Sequence, residues 1–215
     1  MVIFVSGGGT EVGKTYITLQ LMEELSRRGY RVVGAKPIET GTAQLPPGKS
    51  DGELLLAQTH RLNPDAQSLQ LSDISPFRFE LPSAPVVAGK VEIGRVVETI
   101  EWLKGFGDIV VVEGAGGLLV PVTEEFKMVD FIPLLSASPL LVFDSRLGIL
   151  NTFLLTKFYL EKNQIPFVWG VNLRGEEYWE ITHPYLKRFN PLFFQTDISK
   201  IVDALLKIDP VKEGK

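Results

Sequence analysis

Short and nearly unbroken apolar runs recur along the chain at residues 3–5, 31–36, 109–113, 140–144, 167–172 and 192–195, rich in Val, Leu, Ile and Phe. Their continuity leaves no polar face, as expected of strands buried on both sides in a parallel sheet. Between them lie stretches with apolar residues at helical spacing: 14–28, closed by Gly29, then 51–59, 92–106, 147–162, 182–188 and 199–207. Strand and helix alternating along the whole chain predict an α/β fold with a predominantly parallel sheet and helices on both faces. Segment 40–49 carries two Gly and two Pro and reads as a mobile loop, and 81–89, with two Pro, reads as non-helical. One domain is expected over 1–208, with 209–215 as a frayed, disordered tail.

Composition narrows the function class. The chain has 215 residues, 45% apolar and 22% charged, enough for one sizeable core. Net charge is −4 and no large basic block occurs, which argues against a nucleic-acid partner. Cysteine is absent, so disulfides, thiolate metal sites and cysteine nucleophiles are excluded. The longest apolar stretch, 131–143, is broken by two Pro and two Ser and falls short of membrane-spanning length. The apolar run at the N-terminus is too short for a signal peptide, and a cytoplasmic protein with no membrane partner is expected.

Gly8-Gly9-Thr10-Glu11-Val12-Gly13-Lys14-Thr15 fits G-x-x-x-x-G-K-[ST], a phosphate-binding P-loop, and it sits between a strand pattern and a helix pattern. Successive backbone N–H groups in such a loop face phosphate oxygens, and the following helix adds its N-terminal partial charge. Lys14 is placed to reach the β- and γ-phosphates, and the Thr15 hydroxyl to ligate Mg²⁺. The nucleotide-binding candidates are therefore Gly8, Gly9, Thr10, Glu11, Val12, Gly13, Lys14 and Thr15, with Tyr16 behind them. The fold expectation sharpens to a P-loop NTPase-like domain.

Ligands of open α/β sheets gather at the carboxyl ends of the strands. Lys36 ends the second run, where it would face the P-loop and neutralise a migrating phosphoryl group or a carboxylate; it reads otherwise as a solvated strand-end lysine. Glu113 ends a wholly apolar run and opens Glu113-Gly114-Ala115-Gly116-Gly117, the layout of a second Mg²⁺ ligand followed by amides that approach an anion closely. Asp51 reads as a helix N-cap or as a metal ligand. Asn172 reads as a turn former or as the donor–acceptor pair that an adenine edge needs. Glu11 puts a carboxylate beside bound phosphate, which makes sense if it faces an ammonium group or helps organise the metal. His60 and His183 have no partner at metal or triad spacing and are assigned surface or capping roles.

Together these stretches resemble the dethiobiotin synthetase family: Thr10-Glu11-Val12-Gly13-Lys14-Thr15, Lys36-Pro37 with Thr40-Gly41, Ser50-Asp51, Glu113 to Gly117, Arg146-Leu147-Gly148 with Asn151, and Asn172. The resemblance implies a Mg²⁺- and ATP-dependent cyclo-ligase of biotin biosynthesis acting on 7,8-diaminopelargonic acid and CO₂ or bicarbonate. It implies catalytic roles for Lys36, Lys14, Glu11 and Thr10, and metal ligation by Thr15, Asp51 and Glu113. Nucleotide contacts would extend to Glu113, Gly116 and Asn172, and substrate contacts to Thr40, Lys36, Gly116 and Gly117. It also implies a homodimer whose active site is completed at the interface, with Gly148, Ile149, Leu150 and Asn151 binding the substrate carboxylate. Gly9 stands where an acidic residue is usual in the family, and Gln195-Thr196-Asp197 replaces a Pro-containing loop.

Two other functions share parts of this pattern. Switch ATPases of the ParA/MinD kind carry an additional lysine early in the loop, and residues 6–10 contain none. Amidoligases related to cobyrinic acid synthesis carry a fused glutaminase with a nucleophilic Cys, and this chain has no Cys.

Overall fold

The computed structural model describes residues 1–209. Six strands form one parallel sheet: β1 (Val2–Gly7), β2 (Val32–Ala35), β5 (Ile109–Glu113), β6 (Ser138–Asp144), β7 (Val168–Asn172) and β8 (Leu192–Phe193), in the order β2-β5-β1-β6-β7-β8. Every residue of β1, β2, β5 and β6 is buried, which is why these runs show no polar alternation. The longer helices are α1 (Lys14–Arg27), α2 (Asp51–Leu62), α3 (Ile93–Leu103), α4 (Ile149–Lys162) and α5 (Phe194–Leu205). They cover both faces of the sheet.

Helix α1 shows how the pattern becomes packing. Ile17, Leu21 and Leu25, spaced by four, make a fully buried stripe, with Met22 beside it. The stripe ends at Arg28, whose guanidinium reaches Glu24 at 2.9 Å and Asp203 of α5 at 2.6 Å, tying the helix terminus to its neighbour. Because β1 is flanked by β5 on one side and β6 on the other, the chain leaves the sheet in opposite directions around it. That arrangement opens a crevice at the carboxyl end of β1, where the P-loop begins.

All six expected runs lie in this sheet, but several boundaries differ. The last strand is only Leu192–Phe193; α5 starts at Phe194, with a non-helical Asp197 inside it whose carboxylate accepts the Phe193 N–H at 3.0 Å. Segment 81–89 is not wholly non-helical: Pro85–Ala88 is one helical turn, with Pro85 at the first position, where its missing N–H has no helical partner to lose. Within 40–49, Thr40 closes a strand and Thr42–Gln44 forms a 3₁₀ turn. The helix expected at 182–188 is a single turn, His183–Leu186, running into a 3₁₀ turn, with another single turn, Tyr178–Ile181, before it. His183 packs against Tyr178, Trp179 and Phe193 rather than capping through its ring. Most of the tail expected at 209–215, residues 210–215, lies outside the described residues.

A second, two-stranded parallel sheet joins β3 (Ile38–Thr40) to β4 (Phe77–Phe79), with Glu39 opposite Arg78. Three-residue strands are too short for a periodicity to show, so no pattern announced them. This small sheet carries the chain from Lys36 toward α2.

Gly7 closes β1 where it meets β6. A β-carbon there would lie 2.6 Å from the Val142 carbonyl oxygen and 2.7 Å from a Val12 methyl carbon, and backbone cannot give way as a flexible side chain can. Gly7→Ala is expected to lower unfolding free energy by about 1–3 kcal/mol, the usual cost of overpacking. Urea denaturation checks this, and an unchanged midpoint would contradict it.

Candidate active site

The P-loop connects β1 to α1 through Gly13, which takes a left-handed φ of 91° just before the helix. A β-carbon at Gly13 would lie 2.3 Å from the Asn172 side-chain nitrogen and 3.0 Å from the Arg174 guanidinium, so conformation and space both demand glycine. Glu11 is also left-handed at φ 58°, and its exposed side chain points away from the core. Arg146 donates to the Glu11 carbonyl at 3.4 Å and pairs with Asp144 at the end of β6. The loop is thus held from β6 and β7 as well as by its own strand.

Three elements deliver the charged groups. In the β2–β5 register Ala35 faces Val112, so the next residues along the two strands are Lys36 and Glu113. Lys36 Nζ donates to Glu113 Oε1 at 2.7 Å and to the Gly114 carbonyl at 3.1 Å, and lies 3.0 Å from Asp51 Oδ2. Asp51 is not the N-cap of α2. Ser50 takes that place in a capping box with Glu53, which leaves the Asp51 carboxylate to face the loop. Thr15 Oγ1 lies 2.7 Å from Asp51 Oδ1 and 2.9 Å from Glu113 Oε1. One hydroxyl hydrogen cannot serve both carboxylates, and the Lys36 ammonium, within reach of both, offsets part of their charge.

Burial works against charge on Lys36, but Glu113 and Asp51 outweigh it and raise the ammonium above its ordinary value. Burial also opposes ionisation of Asp51, and Lys36 with the Thr15 hydroxyl overcomes it, so that carboxyl sits below its usual range. Burial pushes Glu113 upward, against the pull of Lys36. Lys14, 7% exposed and folded back onto the Gly9 carbonyl at 2.8 Å, is lowered to about 8 by burial and by Lys36.

A divalent cation fits here by the donor chemistry. Among the described residues Glu113 Oε2 is buried without a hydrogen-bond partner, while its Oε1 shares the Thr15 hydroxyl with Asp51. Among the described residues no group of three His, Cys, Asp or Glu could hold a metal. Two carboxylates and a hydroxyl suit Mg²⁺, which keeps several waters and takes phosphate oxygens as further ligands.

These groups line a cleft of about 430 Å³ that brings together Thr10, Glu11, Gly13, Lys14, Thr15, Tyr16, Lys36, Thr40, Asp51, Glu113 and Gly116. Gly8, Gly9, Thr10 and Gly117 line an adjoining cleft of about 470 Å³, walled by Leu118, Leu119, Val120, Leu155 and Tyr159. Thr10 belongs to both. Gly148 and Ile149 line a third cleft of about 350 Å³ that shares Gly8, Gly9 and Thr10 with the apolar one, and Leu150 and Asn151 line none of the three. Within one chain, then, the start of α4 is not brought to the Lys36 cleft. Asn172 is 5% exposed beneath the loop; its amide donates to the Val12 carbonyl at 3.1 Å and accepts from Gln195 at 2.9 Å. Sequence reasoning missed Glu39, Ala115 and Arg174, which also line the polar cleft. Position after a strand end was the available signal for Arg174; none marked Glu39.

Because Lys14 titrates near 8 in the free protein, its attraction for phosphate is present below that pH and fades above it. Dissociation constants for ATP, measured by calorimetry in EDTA from pH 7 to 9.5, are expected to rise above pH 8 by up to about tenfold per unit. Lys14→Arg, which keeps its proton, is expected to flatten the profile; a flat wild-type profile would contradict the assignment.

An AAA domain family matches residues 1–193. The chain is 39% identical over 197 residues to the ATP-dependent dethiobiotin synthetase of Sulfurovum sp. (strain NBC37-1), covering 89% of this chain and 92% of that one. It is 36% identical to that of Wolinella succinogenes, covering 95% and 97%, and 32% identical to that of Escherichia coli (strain K12), covering 94% and 87%. A plasmid partition protein from Borrelia burgdorferi shares the fold at 13% identity, with a TM-score of 0.53 and coverage of 96% and 97%. At these identities and coverages, with the P-loop and the Lys36–Glu113–Asp51 cluster in one cleft, the chain belongs to the dethiobiotin synthetase family.

Proposed function

We propose that the protein is the ATP-dependent cyclo-ligase that closes 7,8-diaminopelargonic acid and CO₂ into dethiobiotin, a step of biotin biosynthesis, in the cytoplasm. The observation that carries the reading is the convergence of Lys36, Glu113, Asp51 and Thr15 beside the P-loop, in a cleft that shares Thr10 with an apolar one. A triphosphate needs the first cleft; an aliphatic diamine needs the second.

In this reading one amine takes up CO₂ as a carbamate. A carbamate oxygen attacks the γ-phosphate, ADP leaves, and the second amine closes the cyclic urea by displacing phosphate. The loop amides after Gly8, whose own N–H is taken by the Val142 carbonyl, hold the triphosphate in line for attack together with Lys14. Lys36 faces the oxygens that gain charge, in a site dry enough for one ammonium to count. Thr40 and the amides of Gly116 and Gly117 orient the carbamate, and Glu11 and Thr10 stand where an amine approaches. Thr15, Asp51 and Glu113 would hold Mg²⁺, which would supply neutralisation of phosphate charge. Tyr16 would border the nucleoside, with Asn172, its amide engaged by Val12 and Gln195, bracing the loop beneath it.

The same reading accounts for the surface around α4. Leu147 is 91% exposed, Phe158 66% and Leu155 62%, an apolar face that a second copy would cover. A homodimer formed there would bring Gly148, Ile149, Leu150 and Asn151 of one subunit to the carboxylate of a diamine held by the other.

Phosphate release from Mg-ATP is expected to require both the diamine and bicarbonate, and to vanish in Lys14→Ala. Lys36→Met is expected to lower turnover by at least about 10²-fold while Mg-nucleotide binding persists. Steady release indifferent to the diamine would overturn the reading in favour of a ParA/MinD-like switch.

A further inference from the structure

We infer that Arg78 and Glu39 are positioning residues that set the Asp51 carboxylate for the cation accompanying the nucleotide. The inference rests on the proposed reading only in that a divalent cation binds with the triphosphate. Glu39 is 2% exposed at the edge of the Lys36 cleft, an unusual place for a third carboxylate beside Asp51 and Glu113. Both of its oxygens are already engaged within the protein. Oε1 accepts the Gly52 N–H at 3.2 Å, and Oε2 accepts from Arg78 Nε at 3.1 Å. Arg78 Nη2 then donates to the hydroxyl of Ser50 at 3.0 Å.

The two residues thereby grip both neighbours of Asp51. Ser50, the helix cap, is held directly by the guanidinium, and Gly52 is held by the carboxylate that the guanidinium pairs with. Ser50 is already committed to its capping box: its hydroxyl accepts the Glu53 N–H at 3.3 Å while its own N–H donates to Glu53 at 3.0 Å. The first turn of α2 can therefore neither rotate nor slide without breaking one of these contacts. Asp51 leaves that turn toward Thr15 and Lys36.

Charge makes the pair necessary as well as geometry. Glu39 satisfies an orphan N–H at a helix start, where negative charge is favoured. Left unpaired it would add repulsion to a cleft that already holds two carboxylates, and Arg78 cancels that charge from the side away from the nucleotide. The two residues face each other across β3 and β4, so the small second sheet is the frame on which they are mounted.

The test titrates Mg²⁺ into protein with a fluorescent, non-hydrolysable ATP analogue, following analogue binding and, separately, thermal melting. Arg78→Ala is expected to raise the Mg²⁺ half-saturation by about tenfold, the scale seen when an outer-shell partner of a metal ligand is lost. Binding of the analogue in EDTA should stay within about twofold of wild type, because the loop is untouched. Glu39→Gln, which keeps an acceptor for Gly52 but loses the ion pair, should give a smaller shift in the same direction. Arg78→Lys, which keeps the charge but cannot span Glu39 and Ser50 together, should fall between Arg78→Ala and wild type. These two milder variants carry the test if Arg78→Ala fails to fold. Unchanged half-saturation in the folded variants, whatever happens to melting, would overturn the inference, as would an equal loss of binding in EDTA. No diamine enters the titration, so a protein that binds Mg-nucleotide but ignores the diamine would sink the synthetase reading and leave this one standing.

Discussion

The pairing of one buried ammonium with two carboxylates is the constraint on which the site depends. Lys36, 4% exposed, could not stay charged in the interior alone, and neither could Glu113 at 1%. Each is tolerated because the other is within hydrogen-bond reach and Asp51 completes the set. Removing one partner of such a group leaves an uncompensated buried charge, which typically costs about 3–5 kcal/mol. The pairing depends on β5 lying next to β2, in a sheet where α1 carries the chain from β1 across to β2. Only that adjacency sets Lys36 and Glu113 side by side.

Around this group the fold separates tasks by polarity. Glu11, Gly13 and Lys14 line one cleft, whose walls are charged; Gly8 and Gly9 line another, whose walls are aliphatic and aromatic. A loop of glycines can border two such different spaces because its backbone, not its side chains, forms the partition. Below it, the Asn172 amide braced by Gln195 keeps the Val12 carbonyl in place, so part of the site's rigidity comes from the start of α5. The departures around Gln195 and Asp197 thus do structural service: Gln195 also bonds the backbone of Leu173, and Asp197 holds Phe193.

How much could be read without the structure depended on the range of the interaction. The P-loop was legible because its function resides in consecutive backbone N–H groups, and glycine spacing records that directly. Lys36 and Glu113 were legible because each ends a continuous apolar run, and strand ends of one parallel sheet share an edge. Asp51 stayed ambiguous between cap and ligand, since an acidic residue at a helix start satisfies both descriptions. The structure gives the cap to the adjacent Ser50 and sets the Asp51 carboxylate against Thr15 and Lys36. Glu39 and Arg78 lie 39 residues apart and gave no signal, because two three-residue strands have no measurable period. Asn172 shows the limit of residue chemistry: its amide does have a donor and an acceptor, and the tertiary structure engages both inside the protein.

By itself, then, the order of apolar runs determined a parallel α/β sheet, and the glycine spacing with its Lys-Thr determined where a phosphate would sit. Both are local properties, written by backbone conformation and by burial on two faces. Strand order, the joining of Lys36 to Glu113 and Asp51, the two-stranded sheet under α2 and the division into polar and apolar clefts were decided only by the tertiary structure. Each depends on which distant segments meet, and that choice is made by the packing of the whole chain and by the need of every buried charge for a partner.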